Sequence, residues 1–255
     1  MTLTHTARTI LTIAALLGTS AFLQAQPGDD LIAKGEACDE NLEAAQALSY
    51  LLPAEKLQPK NAHLLVCIAR QYRHLMSDAN SNAEKMKLGA IALQYSNRAA
   101  DVGPSSSEAQ LAPAITYGKL LPLESKGAQI EASKSIKASF DKALKLDPGN
   151  DLAWHVAGRW HRVLADVSSL KRTLASLVYQ KLPTSTNEAA VKCFEKAIES
   201  NPKRPMHYIE LGRVYAQMGR ADEARRLIQK GLAMPNTEKD DPETKQRGRE
   251  ALAAL

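Results

Sequence analysis

Phe140-Asp-Lys-Ala-Leu-Lys-Leu-Asp-Pro148 and Phe194-Glu-Lys-Ala-Ile-Glu-Ser-Asn-Pro202 agree in residue type at seven of nine positions, all but Lys145/Glu199 and Leu146/Ser200. In each, the aromatic ring and the alanine three residues later share one helical face, and the proline forbids the helix to continue. Two copies of one amphipathic helix, 54 residues apart, signal an internal repeat, so the search for further copies comes before any other reading.

The residues after the second copy supply the partner helix. Tyr208-x-x-Leu211-Gly212-x-x-Tyr215 is followed by Gly219, Ala224 and Ile228, a pattern that resembles the tetratricopeptide repeat at its usual spacing. Small Gly212 and Ala224 let paired helices approach closely. Trp154, Ala157, Gly158 and His161 stand at the same four places after the first copy, which predicts that Trp154 and His161 belong to the packed face. Weaker copies begin at Leu65-x-x-Ile68-Ala69-x-x-Tyr72, closing with Ala92, Ala99 and Pro104, and at Ala109-x-x-Ala112-Pro113-x-x-Thr116, closing with Ile136, Phe140, Ala143 and Pro148.

The expected fold is therefore all-α: a tetratricopeptide-repeat-like superhelix of about four helical hairpins over 62–104, 106–148, 151–202 and 205–236. Tyr215 to Ala224 is nine residues, whereas Tyr72 to Ala92 and Thr116 to Ile136 are twenty and His161 to Ala190 is twenty-nine. Lengthened helices or connections must hold the extra residues. The longest insertion continues the apolar stripe Trp160, Leu164, Val167, Leu170, Leu174 and Leu177, and Pro113 with Pro122 predicts a short or kinked helix in the second unit. Ser185-Thr-Asn-Glu188 reads as a capping box, and Asp241-Pro242 as the start of a C-terminal capping helix over 241–255. Leu31 to Leu52 reads as a helical pair packed on the first repeat.

From about Leu64 to Leu255 the chain resembles the regulator of microtubule dynamics family. The likeness is carried by Leu64-Leu65 with Ile68-Ala69-Arg70, Phe140-x-Lys142-Ala143-x-x-Leu146-x-Pro148, Gly158-x-Trp160, and Leu182-Pro-Thr-Ser-Thr186 before the next helix. The resemblance implies a helical-repeat fold and, from the eukaryotic members, a cytoskeleton- or membrane-associated regulator.

Residues 1–25 have one charged residue, Arg8, an apolar run from Ile10 to Leu17, and an Ala21-Phe-Leu-Gln-Ala25 ending. That pattern predicts an export signal cleaved after Ala25 and a periplasmic or secreted mature chain. The fourteen residues from Ile10 to Leu23 are too few to span a bilayer. Without Arg8 the net charge falls from +5 to +4. This modest excess, with no aromatic interleaving, argues against nucleic acid. Three cysteines do not make a disulfide framework; a Cys38 to Cys67 bridge is open on the sequence alone.

Stacked first helices line the inner wall of a superhelix, and positions one residue past the packed set should face the groove. These are Val66, Arg70 and Arg73; Gln110, Ala114 and Tyr117; His155, Arg159 and Arg162; and Ile209, Arg213 and Ala216. Five arginines fall on the set, and guanidinium is suited to bidentate carboxylate or phosphate recognition. The expected function is a non-enzymatic scaffold that binds an acidic peptide segment through Arg70, Arg73, Arg159, Arg162 and Arg213, with Tyr117 and His155 adding stacking or hydrogen bonds. A self-assembling envelope protein, with a homo-oligomer contact at the insertions or ends, is the alternative. No phosphate loop, His-Glu-x-x-His, Gly-x-Ser-x-Gly or Cys-x-x-Cys motif is present, so neither catalysis nor a cofactor is expected. No metal is expected either: His155 and His161 point 240° apart on one helix, and His63 and His74 are about 16 Å apart along another.

Overall fold

The computed structural model describes residues 26–168 and 183–255, and among them the chain forms eleven α-helices and no strand. A leading pair, α1 (Asp29–Glu40) and α2 (Ala44–Leu57), precedes four hairpins. These are α3 (Ala62–Asp78) with α4 (Asn82–Val102), α5 (Ser107–Leu120) with α6 (Lys126–Leu146), α7 (Asp151–Ala165) with α8 (Asn187–Ser200), and α9 (Pro205–Gln217) with α10 (Ala221–Ala233). A last helix, α11 (Asp241–Ala253), packs on α9 and α10. The export signal expected over 1–25, and Leu170, Leu174 and Leu177 of the long insertion, lie outside the described residues.

The equivalence of Trp154 and Tyr208 has a physical basis. The Trp154 indole N–H donates to the Pro148 carbonyl at 2.8 Å, and the Tyr208 hydroxyl donates to the Pro202 carbonyl at 3.1 Å. In both repeats the ring opening the first helix binds the carbonyl of the proline that follows the end of the previous helix. Phe140, Ala143, Phe194 and Ala197 are buried as their shared pattern requires. A Cβ on Gly158 would stand 2.8 Å from the Phe194 ring, and one on Gly212 would stand 2.5 Å from Ile228 and 2.9 Å from the Ala224 carbonyl. Both glycines are therefore contact points where a methyl group would separate the two helices of a hairpin. Trp154 and His161 are half-buried, and the most enclosed positions of α7 are Ala153, Ala157 and their neighbours.

The eleven extra residues of the first two hairpins are held mainly by helix length. Helices α4 and α6 each run 21 residues, against 13 for α10. Pro113 sits inside a 14-residue α5, and Pro122 turns the chain through a 3-10 segment, Leu121–Leu123. Side chains of Asn61, Ser81, Ser106, Ser125, Asn150 and Thr186 accept the backbone N–H three residues on, capping α3 through α8 in turn.

Two capping expectations move by one residue. Thr186 caps α8, because the Ser185 hydroxyl is bound to His161 Nδ1 instead. Asp241 does not cap α11; its Oδ2 accepts from the Thr237 and Glu238 amides at 2.6 and 2.9 Å and fastens the preceding turn. That turn reaches across to the early repeats: Asp240 is 2.6 Å from Lys119 and 3.0 Å from Ser77, and Lys239 is 2.9 Å from Asp78. Cys38, Cys67 and Cys193 are buried free thiols, so the Cys38 to Cys67 bridge is not formed. Among the described residues no helix is long and apolar enough to cross a membrane.

Candidate functional site

Glu210, on α9, is fully buried, and four guanidiniums surround it. Arg213 Nη1 is 2.7 Å from its Oε1, Arg162 Nε 3.5 Å from its Oε2, and Arg247 Nε, on α11, 3.7 Å from Oε1. Arg159 is half-buried, has no ion-pair partner among the described residues, and exerts the largest single charge effect on Glu210. Burial alone would raise the Glu210 pKa; the surrounding guanidiniums, Arg159 first, overturn that and hold it down to about 2. Glu243 lies 2.6 Å from Arg247, and the exposed Asp166 at the end of α7 acts on Arg162. Among the described residues, four cations against the three carboxylates Glu210, Glu243 and Asp166 leave a positive excess where α7, α9 and α11 meet. Burial pulls the Arg159 and Arg162 pKa values down from the usual guanidinium range, so these two charges carry a desolvation cost that a bound anion would offset.

The other two predicted arginines are elsewhere and already engaged. Arg70 bridges Asp39 at 2.8 Å and Glu108 at 3.2 Å. Arg73 is 6% exposed and donates to the Thr116 hydroxyl at 3.2 Å; burial lowers its pKa to about 10. The structure thus brings Arg159, Arg162 and Arg213 together and separates Arg70 and Arg73 from them.

His155 does not line the groove. It is 6% exposed, with its ring edge-on to Phe194 and its Nδ1 3.0 Å from His207 Nδ1. His207 Nε2 is in turn 3.0 Å from Asp151, which is 2.8 Å from Arg204. Burial keeps the His155 pKa well below its ordinary value and also lowers that of His207. Tyr117 is half-buried and packs on the core cluster that contains Leu111, Phe140 and Trp160. Val66, Gln110, Ala114 and Ile209, also expected to face the groove, are buried. Each first helix is covered by its own second helix and by neighbouring repeats, so its apolar stripe is wider than a lone hairpin would show.

Sequence reasoning missed Glu210 and Arg247. The three-residue step from Glu210 to Arg213 was a local hint, but Arg159, Arg162 and Arg247 converge on Glu210 only through packing.

Residues 28–255 match the family model described as regulator of microtubule dynamics protein 1-3. A regulator of microtubule dynamics protein 1 of Caenorhabditis elegans is 26% identical over 171 residues, 67% of this chain and 76% of the relative. The mouse protein of that name is 27% identical over 208 residues, 81% of this chain and 68% of the relative. A thermophilic tetratricopeptide-repeat protein of Thermus thermophilus superposes with a TM-score of 0.64 at 17% identity, covering 89% of this chain and 99% of its own, which establishes the fold class.

Proposed function

Because the chain belongs to the regulator of microtubule dynamics protein 1-3 family, we propose that it is a non-enzymatic scaffold that binds an acidic peptide segment or carboxylate terminus of a partner protein. The single observation that carries this reading is the cationic excess around buried Glu210. A guanidinium held partly desolvated and with no direct ion pair among the described residues, as Arg159 is, gains by pairing with a ligand carboxylate, and Arg162 and Arg213 offer the fork geometry for a second. Compared with the sequence expectation, the binding set contracts to Arg159, Arg162 and Arg213 and gains Arg247.

The test is fluorescence anisotropy with a labelled poly-glutamate peptide. Arg159→Ala plus Arg162→Ala should weaken binding by tenfold or more, and affinity of the parent chain should fall as salt rises. Unchanged affinity in the double variant ends the reading.

The scaffold acts after export, with residues 1–25 as the address; the run from Ile10 to Leu17 and the small-residue ending at Ala25 support this. Chain recovered from cells should begin at Gln26 on N-terminal sequencing, and a start at Met1 counts against export.

A further inference from the structure

Glu36 on α1, His63 and Cys67 on α3 and Glu108 on α5 come together at the junction of the leading helical pair with the first two hairpins. His63 Nε2 is 2.6 Å from Glu36 Oε1 and 3.5 Å from Cys67 Sγ, and one donor atom from each of these three residues lies within 4.8 Å of the others. On its opposite edge, His63 Nδ1 is 3.1 Å from Glu108 Oε2, whose other oxygen is 3.2 Å from Arg70.

We propose that Glu36, His63 and Cys67 form a binding site for a zinc-class divalent cation, with Glu108 as the carboxylate that orients the histidine. The donor set is the one zinc selects: a thiolate, an imidazole and a carboxylate. Bond lengths of about 2.3 Å to sulfur and about 2.0 Å to nitrogen, at a tetrahedral angle, separate those two donors by about 3.5 Å. His63 Nε2 and Cys67 Sγ are already at that distance, because a four-residue step puts both on one face of α3. The same arithmetic asks for about 3.3 Å between nitrogen and carboxylate oxygen. Glu36 must therefore draw back by roughly 0.7 Å from its present contact. Its side chain is 44% exposed and free to do so.

The arrangement on the far side of the ring is what separates this cluster from a chance meeting of polar groups. A metal-bound histidine characteristically gives its other N–H to a carboxylate, which sets the tautomer. Glu108 takes that N–H, and Arg70, anchored on Asp39, holds Glu108 in place. Cys67 forms the buried floor, 2% exposed, while His63 is 50% exposed on its side chain. Three protein donors leave a fourth position facing outward, for water or for a donor from a partner. The cation would fasten α1 to α3 and lend Arg70, which sequence placed in the groove, a supporting task instead.

Cobalt(II) titration of the reduced full chain reads the site directly, since a thiolate donor gives a near-ultraviolet charge-transfer band. The expected result is one equivalent bound with that band, displaced by zinc and accompanied by a rise in melting temperature. Cys67→Ser should abolish the band, whereas Cys193→Ser should leave it. In case Cys67→Ser disturbs the core, Glu36→Gln and Glu108→Gln change half-exposed groups; each should weaken binding, Glu108→Gln by about 10- to 100-fold. Absence of the band in the parent chain, its survival in Cys67→Ser, or equal affinity in Glu36→Gln overturns the site.

Discussion

Arginines at matching repeat positions meet opposite fates at the two ends of the inner wall. In the first hairpin Arg70 has a carboxylate on each side, Asp39 and Glu108, and Arg73 is folded away against Thr116. Across the last two hairpins and α11, Arg159, Arg162, Arg213 and Arg247 gather on one buried carboxylate, Glu210, with Glu243 and the exposed Asp166 in support. Under the proposed function, charge balance, rather than the number of arginines, decides which region would take an external anion. The first has used its cations to hold its own helices together, and the second retains a surplus.

The largest expected effect comes from removing the buried carboxylate at the centre of this surplus. Glu210→Ala leaves four guanidiniums facing one another and should cost roughly 3–5 kcal/mol in urea unfolding, the range for stripping a buried ion pair of one partner. The same change should raise affinity for poly-glutamate, so stability and binding move in opposite directions. Loss of both would mean that Glu210 shapes the anion site instead of neutralising it. The acid side of the stability curve carries the same signature. Glu210 has its pKa depressed to about 2 in the folded chain, so its contribution is complete above about pH 4.5 and is lost as pH falls toward 2. Glu210→Gln should flatten that limb relative to the parent chain, and an unaltered limb would place the acid sensitivity elsewhere.

The smallest effect sharpens the comparison from the other region. Arg70 is 34% exposed on its side chain, so Arg70→Ala should cost only about 1 kcal/mol or less, and it should leave poly-glutamate affinity unchanged. A drop in affinity matching that of Arg159→Ala plus Arg162→Ala would show that the two regions act as one continuous groove.

How far the residues could be read from the sequence follows the range of the forces involved. Phe140, Ala143, Phe194 and Ala197 were legible because their burial follows from a periodicity local to one helix. Trp154 and Tyr208 were legible as equivalents because each answers to a proline only six residues earlier. His155 was misplaced for the converse reason. Its position on α7 says which way it points, but His207, 52 residues later, and Phe194 are what cover it. Ser185 and Asp241 were read as caps and serve other partners, His161 and the Thr237-Glu238 turn, because a short polar side chain takes whichever polar partner packing brings closest.

What sequence alone determined is the repeated helical hairpin. The apolar spacing, the small residues at Gly158 and Gly212 and the helix-ending prolines are each satisfied within one or two neighbouring helices. What only tertiary structure decided is the charge on each face. The gathering of Arg159, Arg162 and Arg247 on Glu210, and of Glu36 and Glu108 around His63 and its neighbour Cys67, joins residues tens of positions apart. Electrostatic balance depends on distance and burial, and neither exists until the helices have stacked.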